Sequence, residues 1–419
     1  MTDLFSPLKL ASGHLLPNRI AKAAMEENMA EYGQIPGSAL VNLYQRWAAG
    51  TPGMIITGNV MVAPDAMTGP GGVYLGKETL DNPAHKKRFE DWSAAGKSGG
   101  SVLYMQISHP GRQVYANMKT DVVSASNTRL NMEGPAQKMF TEARALTGDE
   151  VKAMITRFAD TAEAAKAAGF DGVQIHSAHG YLVAQFLSPL SNHREDDYGG
   201  SLENRARFLL EIVRAVRNRT GQKFGVAVKL NSADFQRGGF DVDDAKKVVQ
   251  WLNKENVDFV ELSGGSYESA AMAGVPDEDS PSSTLLREIY FIEFAKEIQK
   301  IAKMPLMVTG GITKLETAEM AMASGAVEIV GIARAYGYNT NLAKDWAAGR
   351  NAEISMAAAN SKNKTFKVLA GMGMTKANLY RMGEGKAPKT KMSPLLAVIK
   401  SQIKQGKQTK TYRKWLEAR

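Results

Sequence analysis

Short apolar runs alternate along this chain with longer segments whose apolar positions recur every three to four residues. The runs at 18–24, 54–57, 101–107, 172–175, 225–230, 258–262, 305–309 and 328–332 read as strands. Between them, helical spacing predicts helices over 38–50 (with Leu43 and Trp47 on one face), 149–168, 202–219, 242–254, 290–302 and 314–324. Gly169 follows the 149–168 pattern where a C-capping glycine belongs. A further helix is expected over 366–381, and 117–147 has weak periodicity, as a surface excursion over a barrel mouth would. Eight short strands mostly separated by helices predict an α/β fold, a single (β/α)8 TIM barrel with a parallel sheet. An open doubly wound sheet is the alternative, but no G-x-G-x-x-G follows the first strand.

The densest chemistry sits in 170–210, FDGVQIHSAHGYLVAQFLSPLSNHREDDYGGSLENRARFLL. A buried strand runs directly into His176, His179 and Tyr181, three groups able to donate hydrogen bonds or protons, with Gly180 placed for a sharp turn. Polar groups at the carboxyl end of a strand stand where α/β barrels build active sites. The i, i+3 histidines also suit a metal, but no third ligand of the H-E-x-x-H type is near and no metal is expected. A structural pair of histidines and a buried tyrosine with a satisfied hydroxyl are the plainer alternatives. At the other side, Thr309-Gly310-Gly311 closes the seventh strand and Gly331-Ile332-Ala333-Arg334 the eighth. Glycine after a strand is often only a turn, yet these two loops form the usual barrel phosphate site, and Arg334 supplies a countercharge.

Composition narrows the field. At 419 residues, with 44% hydrophobic and 23% charged content, the chain is ordinary for a globular protein. It has no cysteine, which excludes disulfides, thiolate metal sites, cysteine-held iron–sulfur clusters and any thiol nucleophile. No apolar run is long enough for a membrane helix, and the N-terminal MTDLFSPLKLASGH lacks a basic-then-apolar leader, so a cytoplasmic protein is expected. The net charge of +9 is uneven: 384–419 carries ten Lys/Arg against two Glu, and the remainder is nearly neutral. We therefore divide the chain into a barrel, 1–383, and a basic C-terminal extension, 384–419. In that extension, 394–405 is amphipathic, with Leu395, Leu396, Ile399 and Ile403 on one face and lysines opposite. The expected reading is a solvated basic helix packed on the barrel or on a sister subunit, with Tyr412, Trp415 and Leu416 anchoring the end of the chain. Attachment to a membrane surface is the alternative, and no nucleic-acid module is present.

From Leu4 to Tyr336, and most specifically over His176–Arg207, the sequence resembles the Old Yellow Enzyme family of FMN-dependent ene-reductases, in the cluster-free branch with a His-x-x-His-x-Tyr motif. The resemblance implies FMN as cofactor and NAD(P)H as reductant, since no side chain transfers a hydride unaided. It places the FMN phosphate at Gly310, Gly311, Ala333 and Arg334. It lays the ring along Ala24 and Met25, with room left by Gly58, and sets Gln106 at the pyrimidine edge. Lys229 stands where relatives generally have Arg, a cation able to stabilise the reduced flavin, although an interior ion pair is the plainer reading.

In that picture His176 and His179 polarise an electron-poor alkene of enone type, and Tyr181 protonates its alpha carbon after hydride reaches the beta carbon. Tyr267, in the loop after the sixth strand, shapes the substrate site. His109 and Arg112 match a family motif and are read mainly as barrel structure. One departure stands out. Relatives often carry Pro, Met, Cys and then Tyr in the first loop, where this chain has Ala24, Met25, Glu26 and Asn28. Glu26 replaces a thiol that tunes the flavin, and desolvation there would favour its protonated form. The alternative function is a flavin-dependent quinone reductase or electron carrier; partners are then a small alkene or quinone and, as an expectation, a second copy of the chain.

Overall fold

The computed structural model describes residues 3–132, 134–265, 268, 284–351, 354, 356–357, 359–361 and 363–419. Eight strands, β1 (Ile20–Lys22), β2 (Met54–Ile56), β3 (Val102–Ser108), β4 (Gly172–Ser177), β5 (Gly225–Asn231), β6 (Val260–Ser263), β7 (Leu306–Thr309) and β8 (Ile329–Ile332), pair in parallel. The pairing of β4 with β3 closes the sheet, so the predicted barrel is the fold. A run buried on both faces suits such strands: every residue of β3, β4 and β5 is buried.

The helices fall where a (β/α)8 barrel needs them: α1 (Ser38–Ala49), α2 (Pro83–Lys97), α3 (Gly148–Ala167), α4 (Leu202–Thr220), α5 (Val242–Leu252), α6 (Thr284–Gln299), α7 (Leu315–Ala323) and α8 (Lys364–Gly383). Each has a local cause. On α1, Leu40, Leu43, Tyr44, Trp47 and Ala48 make one buried stripe. Thr147 and Glu150 form a capping box at the start of α3. Ser201 caps α4, and the buried Arg217 near its end donates to the carbonyls of Gly221 at 2.9 Å and Phe224 at 2.7 Å.

Helix α2 has no counterpart among the expected elements. Its start was written in the sequence, because Asn82 accepts from the backbone of Ala84 and Pro83 takes the first turn. Its buried face is Phe89, Trp92, Ser93 and Gly96, which is helical spacing with two of the four positions not apolar. That mixture hides the period.

Two cores result. The larger lies between sheet and helices, and the smaller fills the barrel with Ala21, Met54, Tyr104, Ala227, Phe259, Met307 and their neighbours. A hairpin, Leu8–Lys9 with Leu15–Leu16, closes the barrel's amino end, where Ser12 N donates to Asp258 at 2.6 Å.

The C-terminal extension forms one long helix, α9 (Pro394–Glu417), packed on the barrel through the expected anchor Tyr412 with Trp415 and Leu416 beside it. Leu395, Leu396, Ile399 and Ile403 are 58, 55, 44 and 57% exposed, so the apolar stripe faces outward. The inward face carries Ala397, Thr409 and the fully buried Tyr412, whose hydroxyl donates to Pro64 O at 2.9 Å. Specific anchors select that face: Tyr412 fills a pocket with Met61, Met67, Tyr74 and Val114, and Gln408 donates to Asn28 O at 2.8 Å. Among the described residues no helix is long and apolar enough to cross a membrane.

Candidate active site

Strands β3 to β6 each place a polar side chain between apolar neighbours: Gln106, Gln174, Lys229 and Glu261. Register makes them neighbours, with Gln106 opposite Gln174 and Lys229 opposite Glu261. Gln106 Nε2 donates to Gln174 Oε1 at 2.6 Å, and Gln174 Nε2 donates to Glu261 Oε2 at 2.7 Å. Glu261 Oε1 lies 2.8 Å from Lys229 Nζ, yet no hydrogen bond is aligned onto that oxygen. Both side chains are buried, 4% exposed for Lys229 and 0% for Glu261. The plainer reading of Lys229 as an interior ion pair is thus realised, and the ammonium retains N–H bonds that Glu261 does not use.

At the end of β4, His176 stands in register with Lys229. Its ring meets the His179 ring at 5.1 Å and the Tyr181 ring at 4.7 Å, both edge to face. The chain makes this cluster by turning sharply: His179 and Gly180 take φ of 59° and 72°. A left-handed histidine is strained. It is held by Asn231 Oδ1, which accepts from His179 N at 3.0 Å, and by Gln113, which donates to His179 O at 3.0 Å.

Burial lowers the proton affinity of His176 well below the usual histidine value, and neighbouring His179 and Lys229 lower it further. His179 is lowered well below that value too, by burial and then by Lys229. Both rings are therefore neutral near pH 7. His176 Nδ1 accepts from Ala178 N at 3.2 Å, which leaves the ring proton on Nε2 as a donor. His179 Nε2 is 2.7 Å from Ser263 Oγ.

The loop after β1 is organised by two residues that sequence reasoning passed over. Lys22, fully buried within β1, lies 3.6 Å from Glu27 and 4.1 Å from the centre of the Trp47 ring, and burial pulls its pKa down to about 8. Glu27 in turn accepts from Tyr44 at 2.6 Å and from Gly58 N at 3.2 Å. The space beside Gly58 is taken by Glu27 and the Met25 carbonyl, so the missing side chain first admits this loop. Ala24 and Met25 are half-buried along it. Glu26 is also half-buried, but it is not desolvated alone: Thr68 donates to it, and Lys376 of α8 lies at 3.7 Å. Asn28 receives Lys376 and Tyr380 of α8 as well as Gln408 of α9, which ties the C-terminal helices to the loop.

On the opposite side the ends of β7 and β8 meet, with Thr309 in register with Gly331. A Cβ on Gly331 would strike the Thr309 hydroxyl, so glycine is required there. Gly311 is left-handed at φ 74°, Ala333 is half-buried, and the exposed Arg334 forms no ion pair among the described residues. Thr309 Oγ1 is buried without a hydrogen-bond partner among the described residues.

His109 is buried and held near a pKa of about 3 by burial and then by Arg157, while Arg112 pairs with Glu268 at 2.6 Å, in keeping with a structural role for both. Tyr267 lies outside the described residues. Among those described, no group of three or more His, Asp and Glu could hold a metal. Gln174 and Glu261, like Lys22 and Glu27, were absent from the expected site; a polar residue between apolar neighbours in each of four consecutive strands was the available signal.

Residues 3–353 match the model of the NADH:flavin oxidoreductase / NADH oxidase family. The NADH-dependent flavin oxidoreductase nadA of Aspergillus parasiticus is 36% identical over 345 residues, covering 80% of this chain and 76% of that protein. The NADH-dependent flavin oxidoreductase iliE of Hypocrea jecorina is 36% identical over 351 residues, covering 81% of this chain and 87% of the relative. Among solved structures, the old yellow enzyme homologue from Zymomonas mobilis superposes with a TM-score of 0.71 at 25% identity, covering 85% of this chain and 95% of the other.

Proposed function

We propose that this chain, which belongs to the NADH:flavin oxidoreductase / NADH oxidase family and is an NAD(P)H-dependent FMN oxidoreductase of Old Yellow Enzyme type, reduces the carbon–carbon double bond of an enone-type alkene. The observation that carries the reading is the cluster of His176, His179 and Tyr181 rings, 4.7 to 5.1 Å apart, at the mouth of the barrel.

The residues present fit FMN. A buried ammonium with unused N–H bonds at Lys229, the Gln106 amide and an unpartnered Thr309 hydroxyl are what a polar ring and a phosphate would satisfy. In this reading Gly310, Gly311, Ala333 and Arg334 hold the phosphate. Lys229 and Gln106 hold the pyrimidine edge, and Ala24, Met25 and Gly58 border the ring.

When bound, FMN supplies the hydride it has taken from NAD(P)H. His176, neutral with its proton on Nε2, donates to the substrate oxygen, and His179 donates beside it. A neutral donor holds the carbonyl without a charge that must be neutralised later. Tyr181 gives its proton to the alpha carbon. Glu26 and Tyr267 border the substrate.

The test is stopped-flow reoxidation of the NADH- or NADPH-reduced enzyme by cyclohexenone, for wild type and Tyr181→Phe. Slowing of the variant by on the order of a hundredfold supports Tyr181 as the acid. Equal rates would remove that role, and fast reoxidation by quinones alone would favour the quinone reductase.

A further inference from the structure

Glu261 has no assigned part in this site, yet the side-chain contacts of both Gln106 and Lys229 lead to it. It is fully buried in β6, and its two oxygens serve two branches. One branch is the relay from Gln106 through Gln174 to Oε2, at 2.6 and 2.7 Å. The other is the contact of Oε1 with Lys229 at 2.8 Å.

An ionised carboxylate can only accept hydrogen bonds, so the relay has one polarity. Gln174 must turn its amide nitrogen to Glu261 and its oxygen to Gln106. Gln106 must then donate, which leaves its own Oε1 facing the site as an acceptor. The flavin pyrimidine edge presents one donor, N3–H, among acceptors at N1 and the two carbonyls. An acceptor at Gln106 and a donor at Lys229 are the complement of that edge. Without a buried anion at the end of the relay, nothing in it would choose between the two orientations of each amide.

The second branch concerns charge. A lone ammonium buried at Lys229 would strongly favour a ligand that becomes anionic. Glu261 beside it, with Oε1 at 2.8 Å, offsets most of that field and can take only one of the ammonium's three N–H bonds.

We propose that Glu261 is a positioning residue for the cofactor: through Gln174 it fixes the orientation of the Gln106 amide, and through Lys229 it keeps the flavin a stronger reductant than a bare cation would. The proposal rests on the reading that Lys229 and Gln106 face the flavin. Negative charge gained on reduction is attracted by Lys229 and opposed by Glu261, so removing the carboxylate charge raises the reduction potential.

The experiment is anaerobic redox titration of the FMN-loaded enzyme against a reference dye, for wild type, Glu261→Gln, Glu261→Asp and Lys229→Met. Glu261→Gln should shift the reduced-to-oxidised ratio at fixed potential by about tenfold toward reduced, ~30 mV for a two-electron couple. Glu261→Asp, which keeps the charge, should stay nearer wild type. Lys229→Met should move the potential the other way. If Lys229→Met shifts it and Glu261→Gln does not, the proposal is overturned while the placement of Lys229 stands. If neither shifts it, the placement of Lys229 itself fails. Should Glu261→Gln not retain FMN, Gln174→Met cuts the relay with both charges in place. A Kd for FMN, read by flavin fluorescence, that rises about tenfold supports the proposal, and an unchanged Kd overturns it.

Discussion

Asp258 and Glu261 are two buried carboxylates three residues apart, one just before β6 and one within it, and they are treated in opposite ways. Asp258 receives Ser12 N at 2.6 Å, Tyr104 OH at 2.8 Å and Val226 N at 2.9 Å, so three donors from three elements seal the amino end of the barrel. Glu261 receives one amide donor and an ammonium that is near but not aligned. The surroundings repeat the difference. Around Asp258 the barrel is filled with Tyr104, Phe259 and aliphatic side chains and has one unpartnered hydroxyl, at Ser12, whereas the layers beyond Glu261 hold three among the described residues, at Ser177, Ser232 and Thr309. A carboxylate held by three aligned donors of the protein is a rivet. One whose neighbours keep unused donors is half of a site, with the rest to come from a ligand.

The sharpest way to break that contrast is Asp258→Ala. It strands three donors in a closed core and should cost roughly 3–5 kcal/mol of unfolding free energy, as removing one partner from a buried polar cluster does. Urea denaturation of the FMN-saturated protein measures it, and the flavin potential should not move. Stability loss below 1 kcal/mol would dissolve the distinction between the two carboxylates.

The histidines give a smaller effect with a definite sign. His109 is held near a pKa of about 3, and His176 and His179 well below 6.5, because burial penalises their charged forms. The unfolded chain binds protons at these positions near pH 6.5, and the folded chain does not. Stability is therefore full above pH 6.5 and falls as pH drops below it, down to the folded values. Three such groups amount to roughly 3 kcal/mol lost between pH 6.5 and 5.5. Denaturation midpoints at the two pH values test this, and the triple replacement of these histidines by Gln should flatten the slope. A midpoint independent of pH would show that the rings take up protons in the folded protein as they do in the unfolded chain.

How far the molecule could be read in advance depended on where each signal was stored. The strands were legible because a parallel barrel buries both faces, and unbroken apolar runs such as GVAV in β5 are the direct result. The His176, His179 and Tyr181 cluster was legible because three functional groups lie within six residues on one strand end. The polar relay was not, because its members come from β3, β4, β5 and β6, and only register brings them together. Gln174 in GVQIHS and Glu261 in VELS look locally like an outward turn of an alternating strand. Helix α2 escaped because Ser93 and Gly96 occupy positions where a period search looks for leucine. The anchor of α9 was legible, because Tyr412, Trp415 and Leu416 are the large apolar groups at the end of a basic segment, and Tyr412 is buried with a partner at Pro64, whereas the four aliphatics of the 394–405 stripe are exposed.

That last point yields the smallest expected effect, and it extends the contrast from carboxylates to apolar side chains. Hydrophobicity stabilises a fold only where folding removes the side chain from water. Ile403 keeps 57% of its surface exposed, so replacing it should leave most of its transfer free energy unchanged between the folded and unfolded chains. Ile403→Gln is expected to alter unfolding free energy by no more than about 0.5 kcal/mol, the usual range for surface positions. Tyr412→Ala on the same helix empties a closed pocket and removes a hydrogen bond, and belongs with the large core truncations of roughly 3–5 kcal/mol. Parallel urea titrations of the two variants compare inner and outer faces of one helix at matched protein concentration. A loss above 2 kcal/mol for Ile403→Gln would mean that the stripe is covered in solution, and repeating the titration over a range of protein concentrations would then show whether a second copy of the chain covers it.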